Sequence, residues 1–268
     1  MSDYTTISVV REGAVDWLTL SRPERLNALD ATMVRELWSY FDGLQSDYSR
    51  RVVVMRGAGK GFCAGLDLTW FKESGAAALP TGATDTGPGP SLSDIVLKMR
   101  SCPQAVVALL HGAACGGGFN LALAADIRIA GRGAKMNVAF VKLGLSGCEL
   151  GTSYFLPRML GTSLAAELMM TGRFIRADRA LAAGLVSEVV EDDQLESAAR
   201  ALVAELLAAS PVGLRKTKEV MTRASEIEDL GAVIALEERT QMMCMKAASF
   251  STPAAIGAQK AEPAGDGQ

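Results

Sequence analysis

"HGAACGGGFNLALAADIRIA", residues His111 to Ala130, places three consecutive glycines at the mouth of an apolar run and closes with a short alternating stretch. The β-rich run "AVVALL" (105–110) precedes it, so the order is strand, glycine turn, helix, strand. Glycine loses more backbone freedom on ordering than any other residue, so Gly116, Gly117 and Gly118 need a physical reason. Amides in the first turn of a helix have no internal acceptor, and the helix dipole is positive there. With no Cβ in the way, a negative oxygen can approach: a phosphate, or the oxyanion of a thioester as it becomes an enolate or tetrahedral species. Close helix packing is the other reading of the same glycines. No Gly-Lys-Ser/Thr follows, so this is not a Walker loop, and the G-x-G-x-x-G pattern of dinucleotide folds is not met.

Outward from this stretch the alternation repeats. "ISVV" and "VDWLTL" form a hairpin over residues 5–20, and Asp30 caps a helix over 31–47 with Met33, Leu37, Phe41 and Leu44 at helical spacing. "RRVVVMRG" is a buried strand leading into a second glycine turn, "GFCAGLDL" at 61–68. Two glycine turns at the ends of neighbouring strands could aim two amides at one point, as an oxyanion hole requires. A Gly-, Pro-, Ala- and Thr-rich insert over 74–91 reads as flexible, and a helix over 92–101 leads back to "AVVALL". Beyond residue 150 the pattern is helical, with segments near 153–160, 163–171, 177–183, 192–209, 211–223 and 226–246. Strands joined by helical crossovers predict an α/β fold with parallel strands. We divide the chain into a core over 1–199 and a helical region over 200–268.

Composition narrows the chemistry. The 268 residues are 49% hydrophobic and 21% charged, with a formal net charge of −3, and carry no long basic run. Nucleic acid and anionic membrane surfaces are therefore not expected partners. No secretory signal and no transmembrane run is read, and the five cysteines, none two apart, suggest a reduced, cytoplasmic setting. A single histidine, His111, excludes His-rich metal sites. It ends a strand and is expected to satisfy a local backbone contact. Cys115 and Cys148 read as small packing residues, Asp67 as the cap of a helix starting at Leu68, and Asp126 as half of a structural pair.

"SRPERLNALD", "GKGFCAGLDL", "HGAACGGGFNLALAADIRIA", "GLSGCELGTSYFLPRMLG" and "AAELMMTGRFIRADRALAAGLVSEVV" follow in this order across residues 5–245. Together they resemble the crotonase, or enoyl-CoA hydratase/isomerase, superfamily. The resemblance implies a spiral of ββα units in two roughly perpendicular sheets. A C-terminal helical oligomerisation region would build homotrimers or hexamers. It implies an acyl-CoA thioester partner, with coenzyme A as part of the substrate and no separate cofactor or metal. The thioester oxygen would sit between the amides of Leu66 and Gly117. The adenosine end would lie along Arg25, Leu26 and Ala28, and the pantetheine arm along Ala64, Gly65, Asp67 and Leu68. Gly116, Asn120 and Phe140 complete the expected substrate contacts.

The chain departs from the hydratase pattern at both glutamates. Asn120 stands three residues after Gly117, and Phe140 stands twenty residues further on. Hydration needs one group to activate water and one to protonate the α-carbon, and neither side chain can take a proton. Glu149, nine residues beyond Phe140, lies on the loop where the family's dienoyl-CoA isomerases and 4-chlorobenzoyl-CoA dehalogenases carry a functional aspartate. Ungapped spacing puts that aspartate at Cys148, and one extra loop residue brings Glu149 into the role. An apolar pocket beside Phe140 would raise its pKa and suit it to act as a base. A solvated loop glutamate is the plain alternative. Single-base double-bond isomerisation is the leading expectation. Hydration, thioester hydrolysis, C–C bond chemistry, a non-catalytic acyl-CoA binding subunit and RNA binding are the alternatives. The acyl group is open; the insert over 74–91 and the C-terminal helices are expected to shape its pocket.

Overall fold

The computed structural model describes residues 4–74 and 90–247, so most of the 74–91 insert lies outside the described residues. The chain divides into two compact units, Met1–Leu207 and Ala208–Gln268.

In the first unit, β1 (Ile7–Glu12) and β2 (Val15–Leu20) form the expected antiparallel hairpin. The next strands are β3 (Val52–Gly57) and β4 (Ala105–Leu110); two short ones, β5 (Ala113–Cys115) and β7 (Lys135–Asn137), flank β6 (Ile127–Gly131). Finally come β8 (Ile175–Arg176) and β9 (Glu188–Val190). A six-stranded sheet runs β1-β2-β3-β4-β6-β9, parallel from β2 onwards. A second sheet, β5-β7-β8, has three strands. It escapes sequence reading because two or three residues cannot display a period of two.

Parallel strands buried on both faces read as continuous apolar runs, and here the pleat sorts them. Val53, Met55, Val106 and Ala108 face one cluster with α1 (Ala31–Gly43), α3 (Leu92–Ser101) and α4 (Gly117–Ala124). Val52, Val54, Val107 and Leu109 face another, covered by Leu195, Ala199 and Val203 of the helix Leu195–Ala208. Between these come α2 (Leu68–Ser74), α5 (Thr152–Leu160), α6 (Thr162–Thr171) and α7 (Ala177–Ala182), making the helix over 195–208 α8.

Asp30 caps α1 as expected, accepting from the Met33 amide at 2.8 Å. The helix stops at Gly43 rather than 47. Glycine weakens the last turn, and the Gln45 side chain donates to the Phe41 carbonyl at 2.9 Å, ending the ladder. The helix expected from 192 opens as a 3-10 turn and becomes α-helical at Leu195.

The second unit holds α9 (Pro211–Ala224) and α10 (Leu230–Lys246), packed on each other. Ser210 caps α9 and Asp229 caps α10, so the latter starts at 230 rather than 226. Among the described residues no single helix is long and apolar enough to cross a membrane.

Candidate active site

The second glycine turn runs alongside β5. Phe62 and Cys63 donate to the His111 and Ala113 carbonyls at 2.9 and 3.0 Å, and Cys115 returns a bond to Cys63 at 2.9 Å. Gly65 then takes φ +91°, and a Cβ there would stand 2.6 Å from the Cys115 carbonyl oxygen and 3.4 Å from the Gly117 nitrogen. Only glycine lets this turn close onto the start of α4. Leu66 forms a parallel bridge with Leu29. The bridge uses the flanking groups, Leu29 to the Gly65 carbonyl at 2.7 Å and Asp67 to the Leu29 carbonyl at 3.0 Å. Bridge geometry turns the Leu66 N–H away from Leu29. Among the described residues it donates to no protein acceptor.

Gly116 sits at φ +48° and gives its amide to the Asn137 carbonyl at 3.0 Å, while the first bond of α4 runs from Asn120 to the Gly116 carbonyl at 3.0 Å. The Gly117 amide therefore opens the helix with no acceptor among the described residues. The second glycine turn thus runs alongside the Cys115–Gly117 segment, too close for any side chain at Gly65.

Apolar side chains surround them. A Cβ at Gly116 would be 3.7 Å from the Phe140 ring; one at Gly117 would meet Leu92, Leu29 and Leu150. A negative charge held at the Gly117 amide would sit in a poorly screening setting. The nearby thiols are poor nucleophiles. Burial pushes Cys63 up to about 12, and burial raises Cys115 against the opposing pull of Lys135 and Lys142. Cys148 is exposed.

The remaining expected contacts separate by their partners. Arg25 and Leu26 are exposed, Ala28 and Gly65 are buried, Ala64 is half-buried and Leu68 is exposed. Asp67 caps α2, accepting from Thr69 and Trp70 at 3.1 Å on one oxygen and from Arg22 at 2.9 Å on the other. Burial favours its protonated form, but the Trp70 amide and the Arg22 guanidinium outweigh burial and hold the carboxyl below its usual range. Both oxygens thus have partners inside the protein, and Asp67 is the cap of α2 as expected. Arg22 also reaches Asp30 at 3.2 Å and the Ala28 carbonyl. Asn27, buried at φ +55°, donates to the carbonyls of Ala58, Gly61 and Phe62. Arg22 and Asn27 staple the expected adenosine-side loop to the glycine turn, a role with no local sequence signal beyond asparagine's tolerance of left-handed backbone.

Asn120 is 1% exposed, and its amide nitrogen donates to the Glu149 and Leu150 carbonyls at 3.1 Å and to the Thr152 hydroxyl at 2.8 Å. Through this nitrogen Asn120 ties a loop to α4. Glu149 is exposed, so the burial expected around it is not provided by its neighbours in this chain. Phe140 is half-buried beside Gly116. His111 sits 3.1 Å from the Gly59 carbonyl, and Asp126 pairs with Arg100 at 3.0 Å, both structural as expected.

The family model for enoyl-CoA hydratase/isomerase matches residues 11–260. The chain is 36% identical over 253 residues to the Mycobacterium tuberculosis protein named "Probable enoyl-CoA hydratase EchA12", covering 92% of this chain and 87% of that one. It is 32% identical over 252 residues to the 1,2-epoxyphenylacetyl-CoA isomerase of Escherichia coli, covering 91% of each. The crystal structure of an enoyl-CoA hydratase from Mycobacterium smegmatis superposes with a TM-score of 0.83 at 29% identity, covering 97% of this chain and 98% of that one. With the paired glycine turns and the parallel sheet that presents them, these similarities show that the chain is an enzyme of the enoyl-CoA hydratase/isomerase family, within the crotonase superfamily.

Proposed function

We propose that this enzyme shifts a double bond in an acyl-CoA thioester, with the Leu66 and Gly117 amides holding the thioester oxygen and Glu149 moving the proton. The observation that carries this reading is the two acceptor-free amides, Leu66 on one glycine turn and Gly117 on the other, with no carboxylate at either hydratase position. An enolate needs stabilisation at oxygen and one base; hydration needs a second acid–base group. Glu149 would take a proton from the carbon next to the thioester of a 3-enoyl chain. The electron pair moves into the enolate, and the proton returns at the far end of the displaced double bond. Acyl chain laid across Phe140, Leu92 and Leu150 would exclude water from the carboxylate. Arg25 and Leu26, exposed on their turn, would meet the adenosine end. The subunit would work as a homotrimer or hexamer, assembled through its C-terminal helices.

Turnover of crotonyl-CoA and of a 3-enoyl-CoA in heavy-oxygen water, read by mass, tests this. Isomerisation without label is expected, falling by about 10²–10⁴-fold in Glu149→Gln while substrate still binds. Label entering a hydroxyacyl product, indifferent to that substitution, would restore hydration.

A further inference from the structure

We infer that Asn120 is a positioning residue, which sets Glu149 relative to the oxyanion amide of Gly117; this rests on the isomerase reading above. Asn120 lies three residues after Gly117 on α4, so both share the first turns of one rigid helix. Its amide nitrogen has two hydrogens and three acceptors within 3.1 Å, all in the short segment from Glu149 to Thr152. The Thr152 hydroxyl donates back to the Glu149 carbonyl at 2.6 Å, and the Thr152 amide reaches the same oxygen at 2.9 Å. The Glu149 carbonyl therefore accepts from three donors.

The backbone between them is unusual. Leu150 has φ +53°, a left-handed conformation that a branched side chain rarely takes, and Gly151 follows at φ +82°. Such geometry persists only where its surroundings over-determine it. Here the buried amide of Asn120 and the Thr152 hydroxyl do so. The left-handed step also puts the Leu150 side chain 3.8 Å from where a Cβ on Gly117 would stand. One clamp thus sets two things: the point from which the Glu149 side chain departs, and the apolar wall next to the amide. An exposed carboxylate on an untethered loop would sample many positions, whereas proton transfer needs it held within hydrogen-bond reach.

Four proteins test this on a 3-enoyl-CoA: wild type, Asn120→Leu, Glu149→Gln and the double variant. Leucine keeps the shape of asparagine and removes its donors without adding a carboxylate. Asn120→Leu is expected to lower kcat about 10- to 100-fold with KM changed less than about threefold. The double variant should be no slower than Glu149→Gln alone, because both changes act through one carboxylate. Amide exchange should speed up across 149–153 in Asn120→Leu and stay as in wild type along the rest of α4. If Asn120→Leu does not fold, Thr152→Val removes the hydroxyl from the other side, with a smaller kcat loss and the same lack of additivity expected. Turnover that ignores Glu149→Gln overturns the isomerase reading, and this inference with it. Dependence on Glu149 with kcat intact in Asn120→Leu, or additive losses in the double variant, overturns the positioning role alone.

Discussion

At the scale of single residues, the two glycine turns make opposite demands. Gly65 lies at φ +91° against backbone, the Cys115 carbonyl, which cannot move aside. Gly117 is helical, and the nearest atoms a Cβ there would meet are the ends of leucine side chains, closest those of Leu92 and Leu29. Gly65→Ala should therefore cost about 1–3 kcal/mol in urea unfolding. Gly117→Ala should stay within about 1 kcal/mol of wild type, because alanine's better helix propensity offsets displacement of two flexible leucines. Equal losses would mean that the turns are equally strained. Asp67 has a signature in pH. Its folded-state pKa lies below the unfolded one, so its contribution to stability is complete above the unfolded value near ~4 and fades as pH falls through the folded value. Asp67→Asn should flatten this part of the acid limb and leave its shape near neutrality unchanged; an unaltered limb would mean that the carboxylate is free.

At the scale of elements, most of what positions the site is capping. Asp30 starts α1 directly after Leu29, the residue whose bridge with Leu66 turns the Leu66 amide outward. Asp30→Ala removes the cap and its contact with Arg22, and should destabilise the protein by about 1 kcal/mol, measured by chemical denaturation. Caps of this kind were legible: Asp30 and Asp67 each stand immediately before a helix and carry an oxygen that can reach its first amides. The long parallel strands were legible too, because apolar runs of four (Val52–Met55) and six residues (Ala105–Leu110) bounded by turns leave few alternatives. The strands of the second sheet were not, since β5, β7 and β8 have three, three and two residues. They exist because their neighbours hold them, not because their own pattern selects a strand.

At the scale of the whole molecule, α9 and α10 leave Met221, Leu230, Ile234, Met242 and Met245 between 44% and 71% exposed. Apolar side chains exposed in this number on two helices suit the proposed assembly of identical subunits. Sedimentation of the wild type should give three or six copies, and Ile234→Glu should shift it towards the monomer, by burying a charge in the contact. A monomeric wild type would remove the trimer from the proposal.

The sequence by itself determined the alternation of strands and helices and the positions where glycine leaves the backbone bare. These are properties of neighbours along the chain, set by local sterics, periodicity and side-chain chemistry. Only the tertiary structure decided that the Gly65 turn closes against the Cys115 carbonyl and that Arg22 pairs with Asp67. It alone showed that Asn120 spends its amide on a loop 29–32 residues away and that Glu149 stands exposed. Each of these depends on which distant segments meet. That is settled by the summed burial of many apolar side chains, a quantity that no short stretch of sequence contains.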